Sequence, residues 1–205
     1  MDFRKSRPQA MLLRCANVFA MQRPALIVID MVNDFLAKWP DGAKTRLLAA
    51  TNDLVRIMRR RDYPIVWVRQ EFEPDLRDAF PEMISKGIRI TIRGTDGCQI
   101  VSSLGITPSD PVVVKKRYSA FFHTELDETL LSLKPEVLVL DGINTHACVR
   151  MTAIDAYQRD WKVIIAADCV DSYDREHHDI SLRYMKDKIA SVMTNEEIRK
   201  LLTAL

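Results

Sequence analysis

The strongest constraint in this sequence is an alternation. Short, almost wholly apolar runs rich in Val and Ile recur between longer segments of helical spacing. Residues 24–30 (PALIVID), 64–68 (PIVWV), 112–114 ahead of Lys115, 136–141 (EVLVLD), 162–167 and 189–193 predict six strands. Runs that are apolar at nearly every position suit strands buried on both faces. Between them, residues 47–60 place Leu47, Leu48, Leu54, Val55 and Met58 at helical intervals, and helices are also predicted over 124–133, 145–159, 177–186 and 196–205. Strands separated by helices imply βαβ units and a mostly parallel sheet, and right-handed crossovers then place helices on both faces. The expected fold is an α/β, three-layer αβα sandwich around a mostly parallel six-stranded sheet.

Length and composition narrow the class of protein. A chain of 205 residues fits one large domain, read here as residues 21–205 behind an N-terminal arm or extension at residues 1–20. Hydrophobic residues make up 47% and charged residues 28%, an ordinary balance for a chain with a substantial core. Lys and Arg number 30 against 28 Asp and Glu, so the net charge of +2 gives no argument for a nucleic-acid or membrane partner. Arg59-Arg60-Arg61, the one dense basic run, reads as the solvated end of a helix.

Arg4, Lys5 and Arg7 could open a signal peptide, but Arg14 and Asn17 break the apolar run that should follow, so no secretory signal is read. Met11 and Met21 are alternative starts to Met1. Cys15, Cys98, Cys148 and Cys169 are too widely spaced for a zinc signature, and a cytoplasmic protein with reduced thiols is expected.

In a doubly wound sheet, ligands bind beyond the carboxyl ends of the strands, where strand order reverses. No glycine-rich dinucleotide fingerprint follows the first strand and no phosphate loop occurs anywhere, so no cofactor is expected. Beyond the strand ends stand an acid (Asp30), a lysine (Lys115) and a thiol (Cys148), the last in the first turn of the helix after strand four. Backbone N–H groups and the helix dipole favour a thiolate there, and a nearby lysine would lower its pKa further. Asp30 could accept the thiol proton and hand it to a leaving amine. Equally, a cysteine beside Ala147 and Val149 can be a small core residue, Asp30 a turn cap and Lys115 a solvated strand end. Residues 70–97, the least periodic stretch, are long enough to cover a site.

Three blocks in order carry a resemblance: ALIVIDMVNDF (residues 25–35), VVVKKRYSAFF (112–122) and VLVLDGINTHACVRMTAIDAYQRDWKVIIAADCVDS (137–172), with Asp34, Gly142 and Asp168 also at shared positions. Over about residues 24–195 the chain resembles the isochorismatase-like cysteine hydrolases, a group with a Rossmann-like fold that includes nicotinamidases, N-carbamoylsarcosine and ureidoacrylate amidohydrolases and isochorismatases.

The resemblance implies a catalytic triad of Asp30, Lys115 and Cys148, a cis peptide between Ile143 and Asn144, and an oxyanion hole formed by the N–H groups of Asn144 and Cys148. It implies cleavage of a C–N bond in a small amide or N-carbamoyl (ureido) compound through a thioester. Isochorismatase-type vinyl-ether cleavage and a non-catalytic binding role are the alternatives. A homo-oligomer, dimer or tetramer, is also implied. No metal is expected, because the region after strand two, where nicotinamidases place metal-binding histidines, reads Arg69-Gln70-Glu71-Phe72-Glu73-Pro74-Asp75. Phe35, Trp67, Tyr118, Phe122 and His146 are candidate substrate contacts, and Arg117 is read either as a partner for a substrate carboxylate or as a structural ion-pair former. Cys169 is read as structural, and Cys15 and Cys98 have no evident role.

Overall fold

The structure is a computed structural model that describes residues 23–203. The arm at residues 1–20, Cys15 and the alternative starts lie outside the described residues. Six strands form one sheet: β1 (Pro24–Ile29), β2 (Ile65–Gln70), β3 (Val112–Lys115), β4 (Val137–Ile143), β5 (Lys162–Asp171) and β6 (Ser191–Met193). Their order is β3-β2-β1-β4-β5-β6 and every pairing is parallel. The chain winds outward from β1 to β3, then returns to β4 on the other side of β1. The topological switch therefore lies between β1 and β4.

Helices cover both faces. On one side stand α2 (Asp41–Arg59) and α7 (Asn195–Thr203), after the short α1 (Asn33–Leu36); on the other stand α4 (Leu126–Leu133), α5 (Arg150–Gln158) and α6 (Arg175–Met185). Side chains of β1 alternate between the two cores. Leu26 and Val28 join the first, with Leu54, Met58 and Ile198, while Ala25, Ile27 and Ile29 join the second, with Leu126, Leu130 and Ala153. That double burial is why the strand is apolar at every position.

The element bounds depart from the periodicity where residues do not bury. α2 begins at Asp41, ahead of its apolar stripe, because its first six residues face solvent or its margin. β5 runs on to Asp171 through polar positions that conceal a strand. Within the aperiodic cover, α3 (Pro81–Lys86) is marked by terminal chemistry: Pro81 begins it, and Gly87, at φ 62°, closes it in the left-handed conformation. Phe72, Leu76, Ala79, Met83 and Ile92 give this cover a small core of its own.

One buried group opposes the general pattern. Asp141, on β4, faces the α2 side, where its Oδ1 accepts a 3.1 Å hydrogen bond from the Thr51 hydroxyl. Burial, only partly offset by that bond, pushes its carboxyl up to about 8. Between about pH 4 and pH 8 the native state therefore holds a proton that the unfolded chain has lost. The unfolded state binds fewer protons, so this site makes stability fall as pH rises through that window. Replacing Asp141 with Asn should flatten the decline and raise stability above pH 8 by a few kcal/mol. Chemical denaturation of both proteins from pH 5 to pH 9 checks this; parallel curves would contradict it.

Candidate active site

Three strands bring the site together at their carboxyl ends, β1 and β4 on either side of the switch point and β3 from the sheet edge. β1 delivers Asp30, which sits at φ 57°, a left-handed conformation uncommon outside glycine. Its N–H donates to the Val68 carbonyl at 2.8 Å, and its Oδ1 accepts the Gln70 N–H at 2.8 Å. The acid is thus tied to β2 through both backbone and side chain. β3 delivers Lys115, whose Nζ lies 2.6 Å from Asp30 Oδ2, 3.0 Å from the Arg117 carbonyl and 3.5 Å from Cys148 Sγ. β4 delivers the turn that carries Cys148.

That turn is built from specific residues. The Ile143–Asn144 peptide is cis. Thr145–Val149 then form one turn of π-helix that runs directly into α5, with the Ala147 and Val149 N–H groups donating to the Asn144 carbonyl. The Thr145 hydroxyl donates to the Asp171 carbonyl at 3.0 Å and meets His178 Nδ1 at 2.9 Å, which ties the turn to β5 and α6. Gly142, at φ 122°, lies so close to β1 that a Cβ there would sit 2.0 Å from the Ile29 carbonyl oxygen. No other residue type lets the two strands approach this closely.

Electrostatics govern the resting state. Asp30 and Lys115 are both fully buried, and Cys148 is 4% exposed. Burial alone would lower the Lys115 pKa, but the neighbouring Asp30 carboxylate and Cys148 sulfur outweigh it, so the ammonium is held more firmly than usual. The Cys148 thiol is pushed up to about 12, chiefly by burial, with Lys115 pulling the other way and Asp30 adding to the rise. This corrects the expectation of a low-pKa thiolate. Helix position and a lysine favour the thiolate, but desolvation wins when the sulfur is enclosed. The resting arrangement is an Asp30–Lys115 ion pair beside a protonated thiol, and the sulfur gains its charge only as its proton moves.

Cys148 opens into a cavity of about 850 Å³ walled by the strand-end loops on one side and the cover on the other. Of the candidate substrate contacts, Phe35, Tyr118 and His146 line it, together with Asn144 of the cis peptide. His146 Nδ1 contacts the Ser172 hydroxyl at 2.5 Å, and the ring meets Tyr173 edge-on at 5.2 Å. Burial lowers its pKa, with Asp174 opposing, so the ring favours the neutral form.

Three expected contacts fail. Trp67 is fully buried in the α2-side core, where its Nε1 donates to Asp110 Oδ2 at 3.0 Å, because its position on β2 points away from the site. Phe122 is half exposed outside the cavity, edge-on to His123. Arg117 turns from the cavity, donating 2.8 Å bonds to the Asp78 and Lys116 carbonyls and stacking on Phe80 at 4.9 Å. Of its two readings the structural one holds, through carbonyls rather than an ion pair.

Other cavity residues were missed. Gln70 ends β2, so the strand-end rule could have found it. Arg150, Met151 and Ile154 follow Cys148 at helical spacing on the cavity side. Phe80, Met83, Ile88 and Ile90 come from the cover and leave no periodic signal. Gln70 Nε2 and Asn144 Oδ1 are buried without hydrogen-bond partners, which leaves a donor and an acceptor open to a ligand.

Among the described residues no group of three or more His, Cys, Asp or Glu side chains converges as a metal-ligand set. The acidic run after β2 is engaged in ion pairs: Glu71 with Arg69 at 2.8 Å, and Glu73 with Arg93 at 2.6 Å. Nor, among the described residues, is any helix long and apolar enough to cross a membrane.

Parallel α/β topology with an acid, a lysine and a cysteine at its switch point defines a class of hydrolase. The sequence model of the Isochorismatase domain matches residues 24–197, and the chain belongs to that family. It is therefore an isochorismatase-family hydrolase.

Among its relatives, the phenazine biosynthesis protein PhzD1 of Pseudomonas aeruginosa is 28% identical over 179 residues, covering 86% of this chain and 85% of that protein. A probable inactive nicotinamidase of Arabidopsis thaliana is 32% identical over 177 residues, covering 80% and 88%. The solved structure of N-carbamoylsarcosine amidase from Thermoplasma acidophilum is similar with a TM-score of 0.72 and 29% identity, covering 85% of this chain and 98% of that one.

Two predictions test the geometry. Lys115→Ala removes the one cation that draws the thiol pKa down, so alkylation of Cys148 at pH 8 should slow by about tenfold. An unchanged rate would refute the electrostatic account. Gly142→Ala should force β4 off β1 and cost about 3 kcal/mol or more, measurable by urea denaturation. A loss below 1 kcal/mol would show that the strands separate freely.

Proposed function

We propose that the protein is a cysteine-dependent amidohydrolase that cleaves a C–N bond in an amide or N-carbamoyl compound. The observation that carries this reading is the placement of Cys148 Sγ 3.5 Å from a lysine that is itself ion-paired to Asp30 at 2.6 Å, at the base of a cavity.

The chemistry proceeds as follows. Asp30 accepts the Cys148 proton as the sulfur attacks the carbonyl carbon, and Lys115 balances the negative charge passing between sulfur and carboxylate. The carbonyl oxygen becomes an oxyanion, held by the N–H groups of Asn144 and Cys148. Asp30 then protonates the departing nitrogen, the C–N bond breaks, and a thioester remains. Water attacks the thioester, Asp30 takes its proton, and the thiol is restored as the acid leaves. The high thiol pKa fits this order, because a nucleophile made only on proton transfer stays unreactive until substrate enters.

A second reading, vinyl-ether cleavage of the isochorismatase type, is favoured by a relative called a probable isochorismatase. It would use Asp30 as an acid and leave the thiol idle. A third, a non-catalytic binding role, has a relative called inactive in its favour.

The readings part in one experiment. Ammonia release across amides, ureidoacrylate-like compounds, N-carbamoyl acids and nicotinamide should appear with at least one substrate. Cys148→Ala should lower it by at least about a thousandfold while leaving the thermal melt nearly unchanged. Full turnover by Cys148→Ala would sink the thiol mechanism. Silence across the panel, with isochorismate consumed by both proteins, would establish the ether hydrolase instead.

A further inference from the structure

The one dense basic run of the sequence, Arg59-Arg60-Arg61, plays no part in the site over Cys148. Read along the chain it is the solvated end of a helix. In the structure Arg60 and Arg61 follow the C-terminus of α2, and there they meet Arg56, one turn back, and Arg199 of α7. With Asp53, Ile57 and Thr203 these four arginines line a single pocket of about 210 Å³. Because α2 leads into the start of β2, the pocket lies toward the amino ends of the strands, opposite the end that carries Cys148.

Four guanidiniums share one carboxylate in this lining. Asp53 is divided between Arg56 at 3.2 Å and Arg199 at 2.7 Å. Glu196, outside the lining, lies 3.7 Å from Arg199 and 3.5 Å from Lys200. Arg59 is taken up elsewhere, by Asp110 at 2.5 Å and the Gly105 carbonyl at 2.6 Å. Arg61 has only 3.4 Å contacts, to the Ile57 carbonyl and the Thr203 hydroxyl, beyond the usual range of a hydrogen bond. Arg60 has neither an ion pair nor a side-chain hydrogen bond among the described residues. A helix C-terminus attracts cations to its last turn. That accounts for Arg56, but not for Arg61, which lies beyond the helix, nor for the gathering of cations from two helices in one concavity.

Like charges held this close repel one another, and a bound anion removes that cost. The guanidinium fork matches phosphate oxygens two at a time. One phosphate group carries a charge of about −1.5 to −2 at neutral pH, which leaves part of this lining unbalanced, whereas two linked groups do not. The volume is below the roughly 300–1,000 Å³ of sites for drug-sized ligands and suits a compact anion. A nucleic-acid backbone would need cations along a track, and the net charge of the chain is only +2. Phosphate sites legible in sequence use glycine loops and helix N-termini. This pocket is made of side chains up to 146 residues apart, so no local motif announces it.

We propose that the pocket between the ends of α2 and α7 binds a small molecule bearing a diphosphate group, with Arg60 and Arg61 as its main donors. The proposal is independent of the hydrolase reading of Cys148.

The test is isothermal titration of the full chain with inorganic diphosphate, phosphate, sulfate and ADP at about 0.15 M salt. Diphosphate should bind at least about tenfold more tightly than phosphate or sulfate. Arg60→Gln combined with Arg61→Gln should weaken it by about tenfold or more with little change in the thermal melt, while Lys200→Gln, beside the pocket but outside its lining, should leave it nearly unchanged. Asp53→Asn, which frees Arg56 and Arg199, should strengthen binding, a gain that loss of structure would not produce. ADP binding more tightly than diphosphate would assign the site to a nucleotide; equal or weaker binding would assign it to the diphosphate group alone. Binding that fails to separate diphosphate from sulfate, that survives the double substitution, or that falls as far in Lys200→Gln would overturn the proposal. So would a single-stranded oligonucleotide that binds through Arg60 and Arg61 where diphosphate does not.

Discussion

Everything at this site depends on an ion pair buried where the strand order reverses. Asp30 and Lys115 are both without solvent exposure. Removing two charges from water is expensive, and close pairing repays the cost only when further polar partners are in place. Here they are: the Gln70 N–H serves Asp30, and the Arg117 carbonyl serves Lys115. Apolar residues of the same volume would carry no such penalty. In the proposed hydrolase the pair supplies a proton acceptor and a fixed cation beside the thiol.

The rest of the architecture serves that placement. Two neighbouring parallel strands must end at the same level, and Gly142 lets β4 lie against Ile29 closely enough to do so. The turn after β4 is then held from three directions, by its own Asn144 carbonyl, by Asp171 on β5 and by His178 on α6. The cover closes the other side. Asp34, just past β1, accepts the Thr91 N–H at 2.6 Å, and Gly97 leaves room for that carboxylate, since a Cβ there would lie 2.1 Å from it. The segment that walls the cavity is therefore anchored to the strand that carries the acid.

The residues of this chain were legible in proportion to how local their reasons are. β1 and β4 were evident because burial on both faces demands an apolar run, and strand ends with the three matching blocks singled out Asp30, Lys115 and Cys148, which the structure brings together. α3 was concealed because its identity lies in a proline start and a left-handed glycine stop, with Met83 its one buried residue. Trp67 and Phe122 were misplaced because an aromatic near a site says nothing about which side of a strand or loop it occupies. The thiol pKa was misjudged because charge and dipole can be read along the chain and desolvation cannot.

By itself the sequence determined the parallel α/β class, the family, and which acid, lysine and cysteine stand beyond the strand ends. Those properties follow from periodicities of two and 3.6 residues and from short contiguous motifs. Only the tertiary structure decided that the three meet within ion-pair or hydrogen-bond distance, that burial pushes the thiol pKa up, and that Arg117 is held by carbonyls outside the cavity lining. Each of these depends on distances between segments far apart in the chain. Enclosure and side-chain direction arise from packing, and no local pattern encodes them.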